Sequence, residues 1–466
     1  MISAIWWIRR DLRLMDNQAL RAALEQAEMV FPVFILDPKV LNSPYAAPKR
    51  ITFIFDGLRA LDRELRMRGS LLVVRQGHPL EALHTLKNET GATSIFAEAD
   101  ISPYARQRDK KVMDELPLTL TPGVTVHPPD ILYKPDGLPY TVYTPFQRMW
   151  QSLTFPNKLI PAPEQLPVPP LLSNLGVPGT PGQSAESLFP AGEVEGRRRL
   201  DAFIDTKINS YAEDRNRLDL DGTSRLSPYL RFGMLSARQA AWAARQADER
   251  ARDASSRQGV ETWLNELIWR EFYAAILYHF PNVRRTAFRS EMRGIRWRED
   301  IHGFEAWAEG YTGYPVVDAA MRQMNATGWM HNRARMITAS FLVKDLLIDW
   351  QQGEQYFIKH LLDGDPAANN GGWQWTAGTG TDAAPYFRVF NPVLQGKKFD
   401  PQGAYVRRWV PELDSVPNAF IHAPWEMPAG LQEKLGCVIG KDYPAPIVDH
   451  VLARQRVLEA YRKVKR

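Results

Sequence analysis

The chain has 466 residues, 44% of them apolar, with 58 Lys and Arg against 53 Asp and Glu for a formal charge of +5. That length exceeds one ordinary hydrophobic core, so two domains are expected, and the composition is that of a globular protein. A single cysteine, Cys437, excludes an internal disulfide and a cysteine-built metal cluster. No run approaches the roughly 18 apolar residues of a membrane span, and the start MISAIWWIRRDLRLMDN meets charge too early for a secretory signal. A cytoplasmic protein without a membrane partner is expected. The modest basic excess leans towards polyanionic partners without separating a DNA-binding enzyme from a metabolic one. The 14 tryptophans fall mostly in the second half, and composition alone reads them as core.

In chain order, SAIWWI reads as a buried strand and Asn17 to Gln26 as a helix. MVFPVFIL follows as a second strand, Arg50 to Arg68 as a helix, SLLVV as a third strand and ATSIFAEA as a fourth. This alternation predicts an α/β domain, a doubly wound parallel sheet with helices on both faces. RRDLRL stands after the first strand where a G-x-G-x-x-G would mark a dinucleotide site, so that device is absent.

Between about Phe155 and Glu193 the Pro- and Gly-rich run LIPAPEQLPVPPLLSNLGVPGTPGQ predicts a long surface connector. From about Gly196 helical periodicity takes over, with Phe203, Leu226, Leu230, Trp242, Leu264, Ile268 and Phe272 on buried faces. The expected division is an α/β domain over 1–130, a linker over 131–195 and a mainly α-helical domain over 196–466. The basic end RKVKR reads as solvated.

Four segments of the helical part carry unusual chemistry. In DGTSRLSPYLRFGMLS, from Asp221, the hydroxyls of Thr223, Ser224 and Ser227 stand beside Arg225 where a helix could begin. That suits a phosphate, although an ordinary helix cap is the stronger reading of the segment alone. In WLNELIWREFY, helical spacing puts Glu266 and Trp269 on one face and lets Glu266 pair with Arg270. A carboxylate beside an indole is costly to bury without a polar ligand, and an exposed Glu–Arg pair explains the spacing equally well. In the segment Thr312 to Trp350, Asn332 and Met336 share a helical face and Arg333 projects about 100° away. Asn332 can read a base edge and Arg333 can hold a phosphate; a buried amide with solvated arginines is the competing reading. DGDPAANNGGWQWTAGTGTDAAPYFR, Asp363 to Arg388, sets two tryptophans among small residues that let a flat ligand approach the backbone. Its two carboxylates lack the further oxygens a hard cation needs, so no metal is expected.

Together these segments resemble the photolyase and cryptochrome family, and within it the class I cyclobutane pyrimidine dimer photolyases. The resemblance runs nearly end to end, from IWWIRRDLRLMDNQAL through TPF at Thr144 to WVPEL at Trp409, and is densest in WLNELIWREFY, TGYPVVDAAMRQMNATGWMHNRARM and DGDPAANNGGWQW. It implies an FAD in the helical domain, active as FADH⁻. The family's flavin contacts fall on Tyr211, Thr223, Ser224, Arg225, Leu226, Ser227, Trp263, Glu266, Arg270, Asn332, Arg335, Asp363, Gly364, Asp365 and Asn369. Arg335 would pair with Asp363 near the flavin ring, and Asn369 would face its N5 and tune its reduced state.

The implied substrate is DNA carrying a pyrimidine dimer, flipped out of the duplex. Its contacts map to Glu266, Trp269, Asn332, Met336 and Trp375, with Arg333 and Arg388 on the DNA backbone. Trp269 and Trp375 would form flat walls, Glu266 and Asn332 would hydrogen-bond the pyrimidine edges, and Glu266 would stabilise the dimer radical anion. Trp373, Trp350 and Trp297 match the family's electron relay, which spacing alone does not reveal. His331-Asn332 stands where the (6-4) enzymes carry two histidines, which favours dimer repair. A cryptochrome-type blue-light receptor without repair activity is the alternative, and the short stretch after the helical domain lacks the tail such receptors carry. A plain flavin oxidoreductase would need the missing glycine fingerprint. FILDP at Phe34 and SPYARQRD at Ser102 resemble members with a deazaflavin antenna more than those with methenyltetrahydrofolate. A monomer is expected.

Overall fold

Ser3–Ile8 forms β1, the centre of a five-stranded parallel sheet with β2 (Met29–Leu36), β3 (Val73–Gln76), β4 (Ser94–Glu98) and β5 (Leu118–Thr121) in the order β3-β2-β1-β4-β5. The computed structural model describes residues 2–155, 158–166, 172–179 and 188–464. β1 is flanked in register by β2 and β4, Ile5 lying opposite both Phe31 and Ile95, and its side chains are buried from Ala4 onward. Apolar residues on both faces are what a sheet covered by helices requires. The predicted β1 and β2 coincide with the observed strands, and the predicted third strand is displaced towards Gln76 because Ser70 N–H still caps the preceding helix on Leu65 O at 2.9 Å. β5 has no counterpart in the sequence reading: four residues, LTLT, between two prolines give too little periodicity.

The chain packs as two units, Met1–Ala212 with Ser224–Pro281, and Glu213–Thr223 with Asn282–Arg466. This division by packing differs from the compositional one near residue 196. The RRDLRL segment gives the reason. Leu12 N–H donates to Phe232 O at 3.1 Å, Arg10 Nε to Arg231 O at 3.1 Å and Arg13 Nη1 to Gly233 O at 3.2 Å. Gly233 has φ +60°, and a Cβ there would lie 2.0 Å from Arg10 O, so glycine is needed. Arg13 is buried against Glu98 at 2.5 Å. Where a nucleotide fingerprint would stand, this segment joins the sheet to the turn that follows the Ser227–Arg231 helix. Part of the predicted connector, residues 156–157, 167–171 and 180–187, lies outside the described residues, as do Lys465 and Arg466 of the basic end.

The helical part of the first unit is built on the Ala254–His279 helix, in which Trp263, Ile268 and Phe272 are buried. Phe203 and Leu226 are buried as expected, whereas Leu230, Trp242 and Leu264 are half-buried. The second unit is helical, with Pro315–Thr327, Asn332–Ser340, Trp350–His360 and Pro366–Ala377 around one apolar cluster that includes Trp307, Trp350 and Trp373, while His450–Val464 packs in a smaller cluster through Val457 and Tyr461. Among the described residues no helix is long and apolar enough to cross a membrane.

Candidate functional site

In the first unit, Ser227 opens a short helix, as its segment suggested, with Pro228 in its first turn. Arg225, two residues earlier, has φ +51°, a left-handed backbone that non-glycine residues seldom adopt. Local strain of this kind is kept where surrounding structure holds it, and it is often found beside a ligand. Leu226 is buried and Ser224 half-buried, while Ser227 is exposed. Tyr211 and Trp263 both pack on Phe203, at ring separations of 5.6 and 5.0 Å.

Further along the Ala254–His279 helix, Glu266, Trp269 and Arg270 are half-buried. Trp269 lies flat on Tyr143, ring centres 3.7 Å apart and planes 3° apart. Tyr143 is itself fixed by its hydroxyl, which donates to Asn265 O at 3.0 Å. A rigid aromatic pair therefore lies one helical turn from the Glu266 carboxylate. Arg270 donates to Val124 O at 2.9 Å, and its neighbour Glu271 is a buried acceptor for Trp150 Nε1 at 2.6 Å and Val126 N at 2.5 Å. Burial pushes the Glu271 carboxyl up, and these donors pull it back. Arg270 and Glu271 thus tether the helix that presents Glu266 and Trp269.

In the second unit, Arg335 Nη2 donates to Asp363 Oδ2 at 2.7 Å and Arg335 Nε to Met330 O at 2.9 Å. Asp363 is buried, and its other oxygen, Oδ1, has no hydrogen-bond partner. A buried carboxylate oxygen left this way costs roughly 1–3 kcal/mol, more for a charge, unless a ligand supplies a donor. Asp365 accepts from Ala367 N and Ala368 N at 2.9 and 3.2 Å and so starts the Pro366–Ala377 helix. Gly364, between the two carboxylates, is buried. Asn369 Nδ2 donates to Glu354 O at 3.0 Å, which fixes the amide so that its Oδ1 is the acceptor end. An orphaned carboxylate oxygen and an oriented amide suit a polar, flat heterocycle with N–H donors. These residues fit a flavin.

Asn332 is the first residue of its helix and exposed, with Met336 half-buried one turn on. Arg333 donates through Nε and Nη2 to Asn216 Oδ1 at 3.1 and 2.5 Å and lies over the Phe399 ring at 4.6 Å. Its guanidinium holds the 213–223 segment, in which Thr223 is half-buried, a role the sequence did not suggest. Arg388 is exposed beside Phe390.

Two positions apart on a helix, Trp373 and Trp375 point about 200° from each other. Trp373 is buried in the apolar cluster, while Trp375 is half-buried on the other side. Trp350 belongs to the same cluster and half-buried Trp297 packs against it. A Cβ at Gly353 would lie 2.1 Å from the Trp373 ring, so glycine there makes room for that indole. Tyr143, Glu354, Gly353 and Asn216 were not legible as site residues. Only Tyr143, next to the TPF motif, had a signal at all. Among the described residues no group of three or more His, Cys, Asp or Glu is placed to hold a metal ion.

Residues 4–169 match the family model described as DNA photolyase, and residues 263–463 match the FAD binding domain of DNA photolyase. A Synechococcus protein named deoxyribodipyrimidine photo-lyase is 41% identical over 99% of this chain and 96% of its own length. The chain belongs to the DNA photolyase family. The Escherichia coli relative of the same name is 38% identical over the whole of both chains. Among solved structures, a bacterial class III photolyase from Agrobacterium tumefaciens superposes with a TM-score of 0.93 at 38% identity, covering 100% of this photolyase-family chain and 98% of its own. A Synechocystis cryptochrome reaches 0.89 at 30% identity, covering 100% and 99%.

Proposed function

We propose that this chain is a light-driven DNA repair enzyme that splits cyclobutane pyrimidine dimers, acting as a cytoplasmic monomer. The observation that carries the reading is the Trp269–Tyr143 stack one turn from Glu266, set in a chain about 40% identical over nearly its whole length to proteins named deoxyribodipyrimidine photo-lyase. A flat apolar wall with an adjoining carboxylate suits two covalently joined pyrimidines: the wall takes their faces, the carboxylate their N–H and carbonyl edges.

When bound, the reduced flavin supplies the photoexcited electron that opens the cyclobutane ring and recovers it afterwards. Tyr211, Ser224 to Ser227, Trp263, Glu266 and Arg270, with Thr223, Asn332, Arg335, Asp363, Gly364, Asp365 and Asn369, would hold it. Asp363 Oδ1 would accept from an N–H of the ring while Arg335 holds Oδ2 at 2.7 Å. Asn369, its amide protons directed to Glu354, would present only its oxygen. Glu266, Trp269, Asn332, Met336 and Trp375 would hold the dimer, and Trp373, Trp350 and Trp297 would pass electrons.

A second chromophore is proposed at the C-terminal ends of the strands, in the 1–130 portion, where open α/β sheets take ligands. There the Tyr104 hydroxyl donates to Asp37, which joins the two segments that resemble the deazaflavin-type members, FILDP and SPYARQRD. A deazaflavin fits that resemblance better than a methenyl folate. An archaeal photolyase from Sulfolobus tokodaii, 32% identical, was crystallised with two FAD molecules, which makes flavin the competing occupant.

The deciding experiment is illumination of the reduced protein with an oligonucleotide carrying one thymine dimer. Recovery of thymine absorbance supports repair. Flavin without recovery favours the receptor reading, to which the likeness to a Synechocystis cryptochrome lends weight.

A further inference from the structure

Residues 284–298, RRTAFRSEMRGIRWR, carry six arginines and one acid. Arg285, Arg293, Arg296 and Arg298 are exposed. Arg298 lies 3.3 Å from Asp300, whereas among the described residues no carboxylate pairs with Arg285, Arg293 or Arg296. Such a concentration of unmatched charge repels itself, so a solvated surface has little reason to gather it. The segment abuts the end of the His450–Val464 helix, since a Cβ on Gly294 would lie 2.8 Å from Val464 Cγ1. That helix end adds exposed Arg462 and Lys463.

The arginine segment and the loop that carries Arg388 also pack on one buried ring. Trp297, inside the arginine segment, meets the Tyr461 ring edge-on at 6.3 Å, and Tyr461 stacks with Tyr386 at 6.1 Å and 9°. Phe387 and Arg388 follow directly, both exposed, Phe387 by 60%. The loop that family resemblance matches to the DNA backbone thus shares its buried anchor, Tyr461, with the arginine segment.

We infer that the 284–298 segment and the end of the His450–Val464 helix bind the phosphates of DNA flanking the lesion. This rests on the reading that DNA is the substrate. Arginine forks match phosphate oxygens, and each phosphate neutralised releases counterions, so these contacts strengthen binding without regard to sequence. A consequence follows for Trp297, which sits amid the arginines: a bound duplex covers it and shields it from small reductants in solution.

The test compares wild type with the triple variant Arg285→Gln, Arg293→Gln and Arg296→Gln on two probes. One is a dimer in a single strand of about six nucleotides, the other a dimer centred in a duplex of about 30 base pairs, with affinity followed against salt. The duplex affinity of the variant should drop and the slope of log affinity against log salt should flatten by about 2 to 3, while the short strand binds as before. Duplex should also slow photoreduction by dithiothreitol in wild type and not in the variant. Identical slopes and affinities for both proteins overturn the inference. So does an unchanged duplex slope together with lost binding of a reduced bacterial flavodoxin, which would assign the surface to an acidic electron carrier. Melting curves and flavin content establish that the variant is folded. Wild type that repairs no dimers at all overturns the functional reading instead, whatever the variant does.

Discussion

Arg335 Nη2 lies 2.7 Å from Asp363 Oδ2, while Oδ1 of the same buried carboxylate has no partner. Half of the group is satisfied by the protein and half is left for something else. A buried carboxylate oxygen without a partner calls for a donor, and an N–H of a bound flavin ring would supply one.

Asp363→Asn should therefore weaken FAD retention by about 1.5–3 kcal/mol, roughly ten- to hundredfold in affinity, since it removes charge from a hydrogen bond to the ligand. Flavin absorbance after dialysis is the measurement. An unchanged flavin content would mean that Oδ1 faces water or another protein group.

Glu266→Gln should keep both FAD and dimer-containing DNA bound but reduce the repair quantum yield by about twofold or more, as a charge-assisted hydrogen bond becomes a neutral one. The yield is read from thymine recovery per absorbed photon. An equal yield in the variant would remove the charge-stabilising role of Glu266 and leave it as an orienting group.

Trp373→Phe should abolish photoreduction of oxidised flavin while leaving repair intact in enzyme supplied already reduced. Transient absorption of the flavin, with and without prior chemical reduction, separates the two. Normal photoreduction in the variant would return Trp373, Trp350 and Trp297 to the status of core residues.

The first strands were readable because a doubly covered parallel sheet leaves long apolar runs, and SAIWWI and MVFPVFIL are such runs. β5 escaped because its partner β4, and no pattern of its own, selects it. The same split governs the site. Arg335, Asp363 and Asn369 could be named by family resemblance, but Glu354 and Gly353 act through contacts made across the fold: Glu354 by its backbone carbonyl, Gly353 by lacking a side chain. Neither property is visible in a residue's identity. Trp373 and Trp375 show the limit from the other side. Their spacing of two was plain, yet only helical geometry assigns one to the core and the other to its surface.

Lys344 gives a pH-dependent test of the second unit. Its ammonium is fully buried, donates to Ala377 O at 3.2 Å and lies 3.9 Å from the Tyr461 ring centre. Burial pushes its pKa down from 10.5 to about 7. A lysine depressed in this way loses its proton first in the folded chain. Its stability penalty is therefore fully present below about pH 7 and fades as pH rises towards 10.5. Wild type should gain melting temperature between pH 7 and 9 relative to Lys344→Met by about 2 °C or more. Parallel curves for the two proteins would mean that Lys344 stays charged throughout that range.

Arg333 separates two explanations of one effect. Family resemblance makes it a DNA phosphate ligand, whereas the structure shows it holding Asn216 and covering Phe399. Arg333→Ala should weaken DNA binding and flatten its salt dependence by roughly 0.9, the contribution of one phosphate contact. Asn216→Ala removes the anchor but keeps the charge. If Arg333 acts on phosphate, Asn216→Ala leaves the salt slope as in wild type and changes affinity by only the worth of one hydrogen bond, about 1.5–3 kcal/mol at most. If Arg333 acts by fixing the 213–223 segment, the two variants lose flavin or DNA affinity alike and neither alters the slope. Salt titrations of both variants, with flavin content measured alongside, decide between them.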